Sequence, residues 1–285
     1  MLSFKEWLDY QEKALNEKAL ILGSRSKTYP RYNNVLIMAG GSASGKSWIL
    51  ENVISFTGKS FDVDDIKQKL IDLPEESYLR KKFESEYNIQ LNADTLRDPV
   101  ECSYLHQFVK DNHMDDSFKK AFFYASISRK HKDNIIFDIT LKSEDQLKEV
   151  VNACDYGNYE TDKRHIVWVL TDIELAKINN QKRDRVVPED ILIKSHTGTS
   201  ITMKHILERG EYWKKYIDGD VWIIFNNASV DTKSRVVGNK HQTVLIDKYT
   251  SFQLKQSGKD FKRIEDINKE IIDKINSYVP DGAEW

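Results

Sequence analysis

The sequence predicts a three-layer α/β fold: a mostly parallel sheet of about five strands with helices on both faces, a helical insertion and a carboxy-terminal hairpin and helix. Three observations predict it. Val35-Leu36-Ile37-Met38-Ala39 is an unbroken apolar run, as a strand buried on both faces requires, and glycines follow it at once. Strand-like runs at Phe61-Asp62-Val63, Ile135-Ile136-Phe137, 165–170 and 221–225 alternate with helical patterns. Capping-box spacing, Ser143 with Gln146 and Thr171 with Glu174, starts helices just after the third and fourth strands.

Along the chain, Phe4, Leu8, Gln11, Leu15 and Ala19 follow helical spacing and end near Gly23, so residues 1–30 read as a helix and connector. Residues 31–228 form the core. Within it, 66–132 is a charged, mostly helical insertion, broken near Pro74 and at Asp98-Pro99. Pro188 stands where a helix can begin, which makes 183–187 a loop between helices. In the tail, 229–285, Val236-Val237, a Gly238-Asn239-Lys240 turn and 243–246 predict a hairpin, and 264–278 a helix. His241, Lys248, Tyr249, Phe252, Lys255, Phe261, Lys262 and Arg263 interleave bases and aromatics as single-strand binders do, but acidic neighbours favour a structural hairpin.

Composition narrows the classes. With 40% hydrophobic and 31% charged residues, the chain is a folded protein rather than a disordered one. Its 43 basic and 45 acidic residues leave a net charge of −2, so a nucleic-acid site would have to be a local patch. Cys102 and Cys154 are far apart and predict neither a disulfide framework nor a zinc site. Lys5, Glu6, Asp9, Glu12 and Lys13 interrupt the first apolar residues, unlike a signal peptide, and no run is long enough to span a membrane. A cytoplasmic setting, in a bacterial or phage-infected cell, is the expectation.

Gly40-Gly41-Ser42-Ala43-Ser44-Gly45-Lys46-Ser47 has the spacing Gly, four residues, Gly-Lys-Ser, between a predicted strand and a predicted helix. Glycines let backbone wrap a phosphate chain, and amides at the helix start point at the anion. Lys46 then reaches the β- and γ-phosphates and the Ser47 hydroxyl binds Mg²⁺. Such a loop alone does not separate kinase, motor and binding protein. Neither Asn239-Lys240 nor Asn268-Lys269 continues as Asn-Lys-x-Asp, which disfavours a regulatory GTPase.

Three further groups complete a site. Asp62-Val63-Asp64-Asp65 follows the second strand, where Asp64 is placed to accept a hydroxyl proton or to cap a helix. Asp138 ends the third strand, suited to holding Mg²⁺, with Thr140 nearby. Lys182-Arg183-Asp184-Arg185 precedes Pro188, and Arg183 and Arg185 suit a lid that answers charge building on the phosphates, or a solvated helix end.

Together, this loop, Asp64-Asp65 after strand two, Asp138 after strand three and the Lys-Arg-Asp-Arg-Val-Val-Pro lid resemble the zeta-toxin and phage polynucleotide-kinase group of P-loop kinases over residues 35–193. The resemblance implies ATP- and Mg²⁺-dependent transfer of the γ-phosphate to a hydroxyl of a nucleotide, nucleic-acid or UDP-sugar acceptor, with an antitoxin-like protein as a partner. It implies Lys46 and Ser47 as phosphate and Mg²⁺ ligands, Asp64 as base, and Arg183 and Arg185 as lid residues. Polynucleotide kinases commonly place an arginine three residues after the base, where this chain has Lys67. The rival reading is a non-kinase ATPase or nucleotide-binding module acting with a protein partner.

Overall fold

Five apolar residues in succession offer water no polar face, and β1 (Val35–Ala39) accordingly lies inside the sheet with every residue buried. The computed structural model describes residues 29–61, 63–114, 130–183, 186–226, 233–237, 240–244 and 249–277, with backbone alone at 61, 63–65, 233–237, 240–244 and 275–277. The expected amino-terminal helix lies outside the described residues.

The other strands are β2 (Lys59–Phe61), β3 (Ile135–Asp138), β4 (Arg164–Thr171), β5 (Val221–Asn226), β6 (Lys233–Val237), β7 (Lys240–Val244) and β8 (Tyr249–Lys255). The main sheet has the order β2-β3-β1-β4-β5-β8, parallel through β5, while β6 and β7 pair antiparallel as the expected hairpin. One strand exceeds the sequence expectation: Tyr249–Lys255 pairs antiparallel with β5. Its basic and aromatic residues suit an edge strand as well as a tail, because Leu254 goes to the core while Ser251 stays exposed.

Alternation along β1 divides the core. Val35, Ile37 and Ala39 join a large cluster with the insertion and the long helices, whereas Leu36 and Met38 meet Ile49 on the opposite face. The helices are α1 (Lys46–Ile49, continued by a π-helical stretch Leu50–Ile54), α2 (Val63–Ile71), α3 (Tyr78–Tyr87), α4 (Pro99–Asp111), α5 (Glu144–Tyr156), α6 (Ile173–Gln181), α7 (Glu189–Glu208), α8 (Gly210–Lys214) and α9 (Ile264–Ser277). Among the described residues no helix is long and apolar enough to cross a membrane.

Two local expectations change. Val63 opens α2 rather than closing β2, which ends at Phe61. Thr171 does not cap α6; Asp172 does, its carboxylate accepting from the Glu174 and Leu175 amides. Aspartate one residue on takes the cap because Thr171 is still in the sheet, with its hydroxyl used elsewhere. Ser143 does cap α5, accepting from the Gln146 amide, and Asp98 caps α4 ahead of Pro99.

At the end of the sheet remote from the glycine loop, Lys255 is 1% exposed. Its ammonium donates to the Asp218 carboxylate at 2.9 Å and to the Asp218, Gly219 and Gln256 carbonyls. Lys255→Met strands that carboxylate and those carbonyls, so chemical denaturation is expected to show a loss of about 3 kcal/mol.

In the insertion, α2 brings buried Lys67 against α4. Burial, then the charges of Lys67, Lys110 and Lys142, push the His106 imidazole down from 6.5 to about 4. Between those values the unfolded chain binds a proton that the folded chain refuses, so stability falls as pH drops from 6.5 to about 4. His106→Gln is expected to gain stability relative to the wild type across that window; a constant difference in urea midpoints from pH 7 to pH 4.5 would remove His106 as the cause.

Candidate active site

Parallel pairing sets the site. Met38 stands opposite Asp138 on one side and Val167 on the other, so the chain leaving β1 at Ala39 passes the carboxylate that ends β3. The loop 40–45 then turns into α1, which carries Lys46 and Ser47 back to that carboxylate. The Ser47 hydroxyl donates to Asp138 Oδ2 at 3.4 Å, and Lys46 Nζ lies 3.7 Å from Oδ1. The same ammonium donates to the Gly40 and Gly41 carbonyls at 3.0 and 3.3 Å. A cation, a hydroxyl and a carboxylate thus meet at one loop.

The loop is bent against its own preferences. Ala43 has φ 59° and Gly45 φ 90°. The first is a left-handed conformation that costs a non-glycine residue about 1 kcal/mol. At Gly45 a Cβ would also lie 2.8 Å from Asn226 Nδ2. Three successive carbonyls are each held by a side chain from another element. His196 Nε2 lies 2.9 Å from the Ser42 oxygen, Asn179 Nδ2 donates to that of Ala43 at 3.4 Å, and Thr171 Oγ1 and Asn226 Nδ2 donate to that of Ser44 at 2.7 and 3.0 Å. A carbonyl only accepts, so Nε2 carries the His196 proton. Burial lowers the His196 pKa, the bond to Ser42 opposes this, and Lys46 adds to the lowering. The Ser195 hydroxyl accepts from the Ser42 amide at 2.9 Å.

A cleft of about 410 Å³ opens over the loop, lined by 42–48 together with Asp138, Ile139, Thr140, Leu175, Asn179, Arg183, Asn226 and Tyr249. Trp48 and Tyr249 stack at its edge, rings 4.7 Å apart and 20° from parallel. Of the residues singled out in the sequence, Ser42 to Ser47, Asp138, Thr140 and Arg183 line this one space, with Gly40 and Gly41 at its floor through Lys46. Asp64 lies in the first turn of α2 beyond β2, beside the strand that ends in Asp138, but its side chain lies outside the described residues, as does all of Arg185. Burial raises the Cys102 thiol pKa, and the charges of Lys67 and Arg183 oppose it.

Sequence reasoning missed Ser195, His196, Asn179, Asn226 and the use made of Thr171. One signal was available: Ser195, Gly198, Thr199 and Thr202 recur at helical spacing on α7, marking a face of short, hydroxyl-bearing side chains where a core helix would carry leucine.

Hard oxygen donors suit Mg²⁺. The Ser47 hydroxyl and the Asp138 carboxylate, 3.4 Å apart, would be the protein oxygens to hold such an ion. Among the described residues no three His, Cys, Asp or Glu side chains gather as a metal site.

No family model and no curated protein matches the chain. Among solved structures it is similar to a chain of the AvrRxo1-ORF1:AvrRxo1-ORF2 complex with ATP, at 12% identity and TM-score 0.47, over 97% of this chain and 74% of that one. It is similar to a chain of the PezAT chromosomal toxin–antitoxin system of Streptococcus pneumoniae, at 16% identity and TM-score 0.42, over 78% and 77%. It is also similar to deoxyadenosine kinase of M. mycoides with bound dATP, at 15% identity and TM-score 0.31, over 69% and 92%.

Proposed function

We propose that the chain is an ATP- and Mg²⁺-dependent kinase that transfers the γ-phosphate to a hydroxyl of a nucleotide, nucleic-acid or nucleotide-sugar acceptor. The observation that carries this reading is the meeting of Lys46, Ser47 and Asp138 within 3.7 Å at the floor of a cleft that also takes in Arg183. Lys46 and the amides at the start of α1 bind the β- and γ-phosphates, where fixed positive charge acts best on charge that grows during transfer. Ser47 and Asp138 would hold Mg²⁺, which when bound draws negative charge from the phosphate oxygens. Trp48 and Tyr249 stack on each other, and an outer face of that pair suits a nucleobase at the cleft edge. Arg183 and, by its place in the chain, Arg185 close over the phosphates, and Asp64 receives the acceptor's proton and aims its oxygen in line. Lys67, buried on α2 one turn after Asp64, supplies a positive charge on the acceptor side. An antitoxin-like protein is the partner this reading allows.

The test is labelled ATP with a panel of oligonucleotides, nucleosides and UDP-sugars. Transfer to one of them is expected, with Asp64→Asn lowering the rate about a hundredfold or more and leaving ATP affinity nearly intact. Asp138→Asn is expected to lower both the rate and the Mg²⁺ dependence of ATP binding. Tight ATP binding with no transfer to any acceptor would make the chain a nucleotide-binding module instead, and wild-type transfer by Asp64→Asn would remove that residue from the role.

A further inference from the structure

We propose that Ser195 and His196 of α7 are positioning residues that hold the glycine loop, from outside the cleft, in the shape that receives phosphate. The proposal rests on the reading of that loop as the donor site, and the residues concerned touch backbone rather than nucleotide.

Both ends of one loop residue are gripped. The Ser195 hydroxyl accepts from the Ser42 amide at 2.9 Å while donating to the Leu192 carbonyl at 2.7 Å, which fixes the hydroxyl rotor. One residue on, His196 Nε2 donates to the Ser42 carbonyl at 2.9 Å. Held at both its amide and its oxygen, the Ser42 peptide pair cannot rotate without breaking a bond. The imidazole also fills the space over the neighbouring glycine, since a Cβ on Gly41 would come within 2.1 Å of its ring. One turn later the Thr199 hydroxyl lies 2.5 Å from the Thr140 carbonyl, and that carbonyl accepts from the Gly40 amide at 3.3 Å. The same helix face therefore bears on the loop at Gly40, Gly41 and Ser42.

A grip of this kind has work to do immediately downstream. The left-handed conformation at Ala43 persists only where the surroundings over-determine it. Ala43 packs on Leu192 of α7 and Ala176 of α6, so apolar contact holds its methyl while hydrogen bonds hold the residues on either side. A loop already fixed in the bound shape does not spend binding energy on ordering itself. Packing of α7 on the sheet does not require these groups: Met203 and Ile206 reach the main cluster with apolar side chains alone.

The experiment compares His196→Ala, His196→Gln and Ser195→Ala by calorimetric ATP affinity, by amide exchange of the peptide spanning 40–47 without nucleotide, and by thermal midpoint. His196→Ala is expected to weaken ATP about fivefold, the worth of one such bond, and to speed exchange in 40–47. His196→Gln, whose side-chain amide can donate to the same carbonyl, is expected to recover most of the affinity. Ser195→Ala, a smaller change that tests the grip should His196→Ala fail to fold, is expected to speed exchange at Ser42 and to weaken ATP by a similar factor. Equal loss of midpoint in the Ala and Gln variants with wild-type ATP affinity and exchange would overturn the proposal. Failure of the wild type itself to bind ATP would sink the donor-site reading, and the exchange measurement would still decide the clamp.

Discussion

Asn134 ties the starts of three strands together, and the position of the Asp138 carboxylate in the site depends on that tie. Its side chain, 4% exposed, accepts from the Tyr32 and Asn34 amides ahead of β1 and donates to the Thr57 carbonyl ahead of β2. Its backbone amide donates to Pro30, and Ile135 donates to Asn34. β1 is apolar on both faces and would bury comparable surface if slipped by one residue, so hydrophobic burial does not choose its register. A side chain with fixed donors and acceptors does. A slip of one residue would move Asp138 away from Met38 and turn it to the other face of the sheet. The pin at one end of the sheet therefore delivers the carboxylate to Lys46 and Ser47 at the other.

What the loop needs after that is restraint. A chain bent tightly enough to wrap phosphate turns its carbonyls away from the anion, and each of these must find a donor or bear the cost of burial without one, about 1–3 kcal/mol. Here the donors come from β4, β5, α6 and α7, four elements that the parallel topology brings to the same end of the sheet. Ser44 Oγ and Asn226 Oδ1 are buried without a partner among the described residues, so the loop is held at its carbonyls and not at every polar atom.

The contrast between what was legible in the sequence and what was not follows from this division. Val35–Ala39, the glycine loop and Asp138 stand out because each carries its signal within a few residues: an apolar run, a spacing, a charge at a strand end. Thr171, Asn179, Asn226 and His196 act on backbone that lies more than a hundred residues away, and no local pattern reports such a bond. Thr171 shows the limit well. Its spacing to Glu174 is that of a cap, yet its hydroxyl is committed to Ser44 and Asp172 takes the cap. Tyr249–Lys255 shows another: the alternation of an edge strand and that of an aromatic, basic tail look alike until pairing with β5 separates them.

The composition of α7 argues that its contacts matter more than its helicity. Within 20 residues it holds Ser195, Thr197, Gly198, Thr199, Ser200 and Thr202. Each is roughly half a kcal/mol worse than alanine in a helix, and glycine about 1, so these six residues together cost on the order of 3 kcal/mol in intrinsic propensity. Alanine at Ser195, Gly198 and Thr199 would make a better helix and a worse neighbour. It would leave the Ser42 amide without its acceptor, and a methyl at 198 would sit 2.6 Å from the Lys142 carbonyl. A segment that accepts this cost over two turns, and places Ser195, His196 and Thr199 in bonds to the loops that end β1 and β3, is shaped by what it touches. The Ser195 and Thr199 hydroxyls thus join the glycine loop to the turn that follows Asp138.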